Sequence, residues 1–180
     1  PGSQDRSPET SSTAPSDAPD VVLLTLDTFR EDALSASPRA LVPDLTPTLD
    51  AVAAAGCRVD GALAPAPLTG PSHGALFTGR SPAELGLLVN GGVVDPEAPR
   101  VATRFAEAGY ETGAFVSSAM VAGALGYAQG FSVFDDDLGG EGLWEASTTA
   151  RLRLPMSKRA ARKARFDRPG EQTLARMGAW

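Results

Sequence analysis

The first unbroken apolar run, Val21-Val22-Leu23-Leu24-Thr25-Leu26, lacks the polar alternation of a strand with one wet face. It predicts a strand over 21–27 buried on both faces and ending in the carboxylate of Asp27, where open α/β sheets present ligands. A polar stretch (28–32) and a Ser- and Pro-rich segment follow. Thr46-Pro47 then opens a helix, with Thr46 as N-cap and Pro47 in the first helical position, an apolar stripe of Leu49, Val52 and Ala53, and a stop at Gly56. Residues 57–63 alternate enough to predict a short strand. Its Ala- and Pro-rich exit leads into a loop holding Pro67, Gly70 and Pro71, and from there into a short helix that ends by Gly79. Ser81-Pro82-Ala83-Glu84 reads as a cap with one more turn, and Asn90-Gly91-Gly92 as a turn. An amphipathic helix over 101–108 with Phe105 on its inner face closes on Gly109, a strand follows over 112–116, and a helical pattern occupies 171–180. Repeated alternation of helix and strand predicts an α/β fold, a mostly parallel sheet with helices on both faces. Only three or four strands are legible, fewer than such a sheet uses, so the chain reads as an incomplete, N-terminal portion of a larger domain.

Composition narrows this picture. The 180 residues, 42% of them apolar, suffice for one core. Residues 1–19 are almost wholly Pro, Gly, Ser, Thr, Ala, Asp and Glu, too polar to offset their ordering entropy, and read as a tether ahead of a domain over 20–180. A tether at the head of a chain that begins without Met suggests export, to the periplasm or to a lipid-anchored position outside the cytoplasm; an arbitrary boundary reads the same way. Net charge is −6, yet Arg151, Arg153, Lys158, Arg159, Arg162, Lys163, Arg165 and Arg168 make up half of the 16 basic residues, so the remainder is strongly acidic. An acidic body argues against nucleic acid as a partner. The basic run reads as a solvated face able to attract an anionic substrate or lipid, and the triplet Asp135-Asp136-Asp137 as a solvated loop. No apolar run is long enough to span a bilayer as a helix. One cysteine, Cys57, and one histidine, His73, exclude a Cys-rich or His-cluster metal site within this sequence.

The candidate chemistry lies in two places. Asp27 at the strand exit is a candidate ligand for a divalent cation, Ca, Mn, Mg or Zn, with oxygen ligation leaning to the harder ions; a capping carboxylate is the plain alternative. Thr28 is a second oxygen ligand or a turn-forming hydroxyl. In Thr69-Gly70-Pro71-Ser72-His73, the Thr69 hydroxyl and the first backbone N–H groups of the following helix are expected to face one small space, a nucleophile in an oxyanion site, with the N–H groups near Ser72 and His73 as the donors. Metal contact at Thr69 would lower the hydroxyl's pKa and make it an effective nucleophile; the alternative is a plain helix cap. His73 bonds a substrate oxygen or serves structurally. Asn90 is a turn residue as a bare feature. Arg30 and Asp32 are expected to pair and shape the loop after Asp27.

Several spaced motifs occur in one order: Val-Leu-Leu-x-x-Asp27-Thr28-x-Arg30, Thr46-Pro47-x-Leu49-Asp50, Pro67-Leu68-Thr69-x-Pro71-Ser72-His73-x-x-Leu76-x-Thr78-Gly79, Asn90-Gly91, Ala108-Gly109-Tyr110-x-Thr112 and Gln129-Gly130-Phe131. From about residue 20 onward the chain resembles the N-terminal half of the sulfatases, within the alkaline phosphatase superfamily. The resemblance implies a three-layer α/β sandwich, a divalent metal, and hydrolysis of sulfate or phosphate esters of small-molecule, glycan or lipid alcohols. It also implies roles for Asp27, Thr28 and Thr69 at the metal, for Thr69 and His73 in catalysis, and for Asn90 at the substrate oxygens. The family's nucleophile motif is Cys-x-Pro-Ser-Arg, its Cys converted to a formylglycine; here Thr69 stands in the Cys position and His73 in the Arg position. Superfamily members with Ser or Thr there transfer phosphoryl groups. The alternatives are therefore a phosphoryl or phosphoethanolamine-type transferase, and a truncated, non-catalytic relative that binds anions. Relatives carry further metal ligands in an Asp-His motif that this sequence does not contain.

Overall fold

The computed structural model describes residues 17–138 and 167–180. Most of the expected tether, glycines 139, 140 and 142, and the basic run up to residue 165 lie outside the described residues. The chain divides into two units, one over Pro19–Ala64 and one carried by Pro65–Trp180.

In Pro19–Ala64 the helix expected after Thr46 is present as α1 (Pro47–Ala55), with Pro47 in the first turn and Gly56 at its C-cap. Thr46 occupies the N-cap position but makes no side-chain cap bond. Its hydroxyl instead accepts from the Ser35 backbone N–H at 2.9 Å, while Asp50 Oδ1 accepts from the Ala36 N–H at 2.8 Å. These bonds tie α1 to the irregular segment before it, so the half-buried stripe is Leu49, Asp50 and Ala53, with Val52 exposed. The expected Arg30–Asp32 pair forms, Nε to Oδ1 at 2.8 Å and a terminal nitrogen to Oδ2 at 2.5 Å.

Two expected strands are absent from this unit. Residues 21–26 carry no strand, and Val21, Val22, Leu23, Leu24 and Leu26 are exposed rather than buried. The run 57–63 is likewise irregular and exposed. A strand is made by exchanging N–H and C=O groups with neighbours, and the unit has no strand to supply a ladder. Apolarity permits a buried strand; it does not supply the partner.

In Pro65–Trp180 the described sheet has two parallel strands, β1 (Gly113–Phe115) and β2 (Val133–Asp135), in register Gly113–Val133, Ala114–Phe134 and Phe115–Asp135. Two 3₁₀ turns, Ala119–Val121 and Gly123–Leu125, lie on the connection between them. The helix α3 (Val101–Glu107) falls where the sequence places it, whereas α2 (Thr69–Thr78) starts earlier than expected and takes in Thr69, Gly70 and Pro71, which the sequence assigns to the preceding loop. Gly79 ends α2 in the left-handed conformation, φ 70°, its N–H closing on the Ala75 carbonyl. The Ser81–Glu84 cap also forms, Glu84 accepting from the Ser81 backbone N–H and hydroxyl at 2.7 and 2.6 Å. The core consists of Leu87, Val94, Val121, Leu125 and Tyr127, with Phe77, Leu85, Val116 and Phe134 packed against it. Each such aliphatic side chain contributes about 1.5–3 kcal/mol by leaving water.

The C-terminal helix α4 (Gly170–Met177) is fastened by ions. The guanidinium of Arg168 is buried and donates to Asp135 Oδ1 at 2.8 Å, to the Val116 carbonyl at 2.8 Å and to Thr173 Oγ1 at 2.9 Å. Arg176 bonds both carboxylate oxygens of Asp135 and one of Asp137. Asp136 accepts from the Gly123 N–H at 2.9 Å. The acidic triplet is therefore an ion-pair junction at the carboxyl end of β2, and Arg168, the last residue of the basic run, is buried; neither is the solvated surface expected from sequence. Burial pushes the Asp135 carboxyl up, but the hydrogen bonds from Arg168 and Arg176 outweigh it and hold the group below its ordinary value.

Candidate active site

Thr69 is the first residue of α2. Leu68 takes the N-cap position with extended backbone and offers no side-chain cap, so the threonine does not serve as the cap. It is half-buried, and the next two residues, Gly70 and Pro71, are buried. His73 lies one turn further along the same face, its Nδ1 2.9 Å from the Thr69 carbonyl oxygen. A carbonyl only accepts, so Nδ1 carries a proton and donates it here.

Asn90 is in the turn expected of Asn90-Gly91, and the fold returns it to the start of α2. Its Oδ1 accepts from the Gly70 N–H at 2.8 Å. Because the partner is a donor, the oxygen end of the amide must face it, and the Nδ2 hydrogens point elsewhere. The residue that sequence reading missed is Tyr127, whose hydroxyl donates to the Gly70 carbonyl at 2.6 Å. The ring is buried in the core and meets Phe77 edge-on with centroids 6.4 Å apart. Burial pushes the phenol up to about 12, with the nearby Arg100 guanidinium pulling the other way. Nothing local marks Tyr127 for this role, since 57 residues separate donor and acceptor.

These bonds change the expected oxyanion site. The Gly70 N–H is taken by Asn90, Pro71 has none, and the Ser72 N–H donates to the Leu68 carbonyl at 3.0 Å. The His73 N–H falls to Thr69 by the i to i−4 rule of the helix. The first turn of α2 thus uses its own amides, and the expectation that N–H groups near Ser72 and His73 hold the substrate's oxygens is not met. Beside this turn the Asn90 amide hydrogens remain a side-chain donor, while the His73 Nδ1–H is taken by the Thr69 carbonyl.

Asp27 and Thr28 lie in Pro19–Ala64 and form the centre of a turn closed by the Phe29 N–H on the Leu26 carbonyl at 3.4 Å. Thr28 has φ 58°, a left-handed conformation rare for a β-branched residue. Such backbone strain gathers at functional loops and costs about 1–3 kcal/mol. The pair offers one carboxylate and one hydroxyl. Among the described residues no three His, Cys, Asp or Glu side chains are grouped so as to hold a metal ion. A hard divalent cation takes roughly six to eight oxygens, so the described donors do not make up a complete metal centre. Among the described residues no helix is long and apolar enough to cross a membrane.

The family model for sulfatases matches residues 19–154, a span that contains Asp27, Thr69, His73, Asn90 and Tyr127. No curated protein and no solved structure gives a significant match to the chain.

Proposed function

The chain belongs to the sulfatase family, and from that premise we propose that it carries the nucleophile-bearing portion of a hydrolase of sulfate or phosphate esters, with Thr69 as nucleophile. The observation that carries this reading is the placement of Thr69 at the head of α2, outside the cap position, with His73 one turn on and bonded to its carbonyl. Thr69 Oγ attacks sulfur or phosphorus in line with the leaving alcohol; the new ester bond forms as the bond to the alcohol oxygen breaks. His73 Nε2 takes the proton that leaves Thr69 Oγ and passes it to the departing alcohol oxygen, while Nδ1–H stays on the Thr69 carbonyl, which fixes the ring's orientation. The Asn90 amide hydrogens meet an anionic oxygen. Water then cleaves the threonyl ester, returns the hydroxyl to Thr69 and releases sulfate or phosphate. A threonine cannot become formylglycine, and by resemblance this favours phosphorus over sulfur.

Members of the family generally use a divalent metal ion, which supplies Lewis acidity when bound. Asp27 is the proposed ligand, with Thr28 beside it in the same turn. The described donors form only part of a ligand set.

The test is an assay of the full-length protein on aryl sulfate, aryl phosphate monoester and aryl phosphodiester, with and without chelator. Turnover of at least one ester is expected, with Thr69→Ala lowering kcat on the order of 10³-fold or more. Undiminished turnover by Thr69→Ala would remove the nucleophile assignment, and undiminished turnover by Asp27→Ala together with indifference to chelator would remove the metal.

A further inference from the structure

We propose that Asn90 and Tyr127 act together as positioning residues for Thr69, gripping the backbone on both sides of Gly70. The inference rests on the reading of Thr69 as nucleophile.

The Gly70 N–H belongs to the peptide joining Thr69 to Gly70, and the Gly70 carbonyl to the peptide joining Gly70 to Pro71. Asn90 Oδ1 holds the first at 2.8 Å and the Tyr127 hydroxyl holds the second at 2.6 Å. A Cβ built on Gly70 would have Asn90 Oδ1 at 3.4 Å, with the Met120 carbonyl oxygen and the Tyr127 hydroxyl both at 3.5 Å. Three oxygens from three separate segments therefore wall one residue. A helix start needs only a local Ser, Thr, Asp or Asn to satisfy an orphan N–H. Here the position is held by Leu68, which cannot do so, and the acceptor comes from 20 residues away.

The consequence falls on Thr69. Its Cα is attached directly to the peptide plane that Asn90 fixes, and rotation of that plane swings Cβ and the hydroxyl. Tyr127 is the stiffer of the two anchors, because its ring is embedded among Phe77, Val121 and Leu125. Asn90 is exposed and sits on a turn, and it adds the constraint that Tyr127, on the far side of Gly70, does not impose. For a reaction that needs in-line approach, a displacement of about 1 Å at the attacking atom costs about a hundredfold in rate.

The experiment is NMR of the Thr69 side chain in the full chain, reading χ1 from the three-bond couplings of its methyl carbon, in the native protein and in Asn90→Ala, Asn90→Asp and Tyr127→Phe. A single rotamer is expected in the native protein. Averaging over staggered rotamers is expected in Asn90→Ala and Tyr127→Phe, and recovery of the single rotamer in Asn90→Asp, which keeps the acceptor and loses the amide hydrogens. Averaged couplings in the native protein, or native couplings in both Asn90→Ala and Tyr127→Phe, would overturn the proposal. If Tyr127→Phe does not fold, the two Asn90 variants decide it. On an ester that the native protein turns over, Tyr127→Phe, which touches no substrate, is expected to lower kcat about ten- to a hundredfold with KM little changed, and an unchanged kcat in that variant with averaged couplings would overturn the positioning role. A native protein that turns over none of the three esters, with the couplings behaving as expected, would leave the clamp standing and refute the hydrolase.

Discussion

At the scale of single residues, Tyr127 shows how a side chain can be decisive without a local signature. Its phenol is pushed from 10.0 up to about 12, so the folded state holds that proton more tightly than the unfolded one. The stability linked to it is fully present below pH 10 and is lost as pH rises toward 12. Alkaline denaturation is expected to show this loss in the native chain, and Tyr127→Phe to flatten that limb while lowering stability at neutral pH by about 1 kcal/mol for the lost hydrogen bond; chemical denaturation at stepped pH measures both. Gly130 makes the same point through sterics. Its φ is 91°, and a Cβ there would lie 2.4 Å from the Thr103 backbone nitrogen. Gly130→Ala is expected to cost at least about 1–3 kcal/mol, read as a lower denaturation midpoint, because neither the strained backbone nor the α3 main chain can yield cheaply. The sequence marked Gly130 only as part of Gln129-Gly130-Phe131; the contact with α3 gives the physical reason for it.

At the scale of elements, the start of α2 and the fastening of α4 illustrate opposite degrees of legibility. The end of α2 follows from Gly79, a local signal, with Pro71 in its first turn. What caps it does not, because the Asn90 amide arrives through a turn whose path depends on Leu87 and Val94 packing in the core. For α4 the pattern at 171–180 was readable, and its attachment was not. Removing Arg168, whose side chain is 1% exposed, takes its guanidinium from the Val116 and Asp137 carbonyls and leaves Asp135 with Arg176 as its remaining guanidinium partner. Arg168→Ala is expected to cost about 3 kcal/mol and to speed hydrogen exchange in 170–177 far more than in α3. The Asp135 carboxyl titrates below the ordinary value near 3.9, so its contribution is present at neutral pH and is lost as pH falls from about 4 through the lower folded value. Acid titration followed by exchange in α4 checks that sign.

At the scale of the whole molecule, the apolar content that promised a single core is shared between a packed core in Pro65–Trp180 and an exposed run over 21–26. Five large aliphatic side chains in one short exposed segment make a surface that water disfavours. Self-association that rises with concentration is expected, and Leu24→Lys is expected to weaken it severalfold, as read by sedimentation velocity.

The sequence by itself determined the α/β class, the limits of α1 and α3, the end of α2 at Gly79, and the position of β1. All of these follow from interactions within a few residues: glycine and proline dihedrals, caps, and i, i+4 spacing. Only the tertiary structure decided that residues 21–26 lack a ladder, that the amides of the first turn of α2 are already used, that Asn90 and Tyr127 meet at Gly70, and that Arg168 is buried against Asp135. Each of these depends on which distant donor finds which acceptor, and hydrophobic pattern carries no information about that pairing.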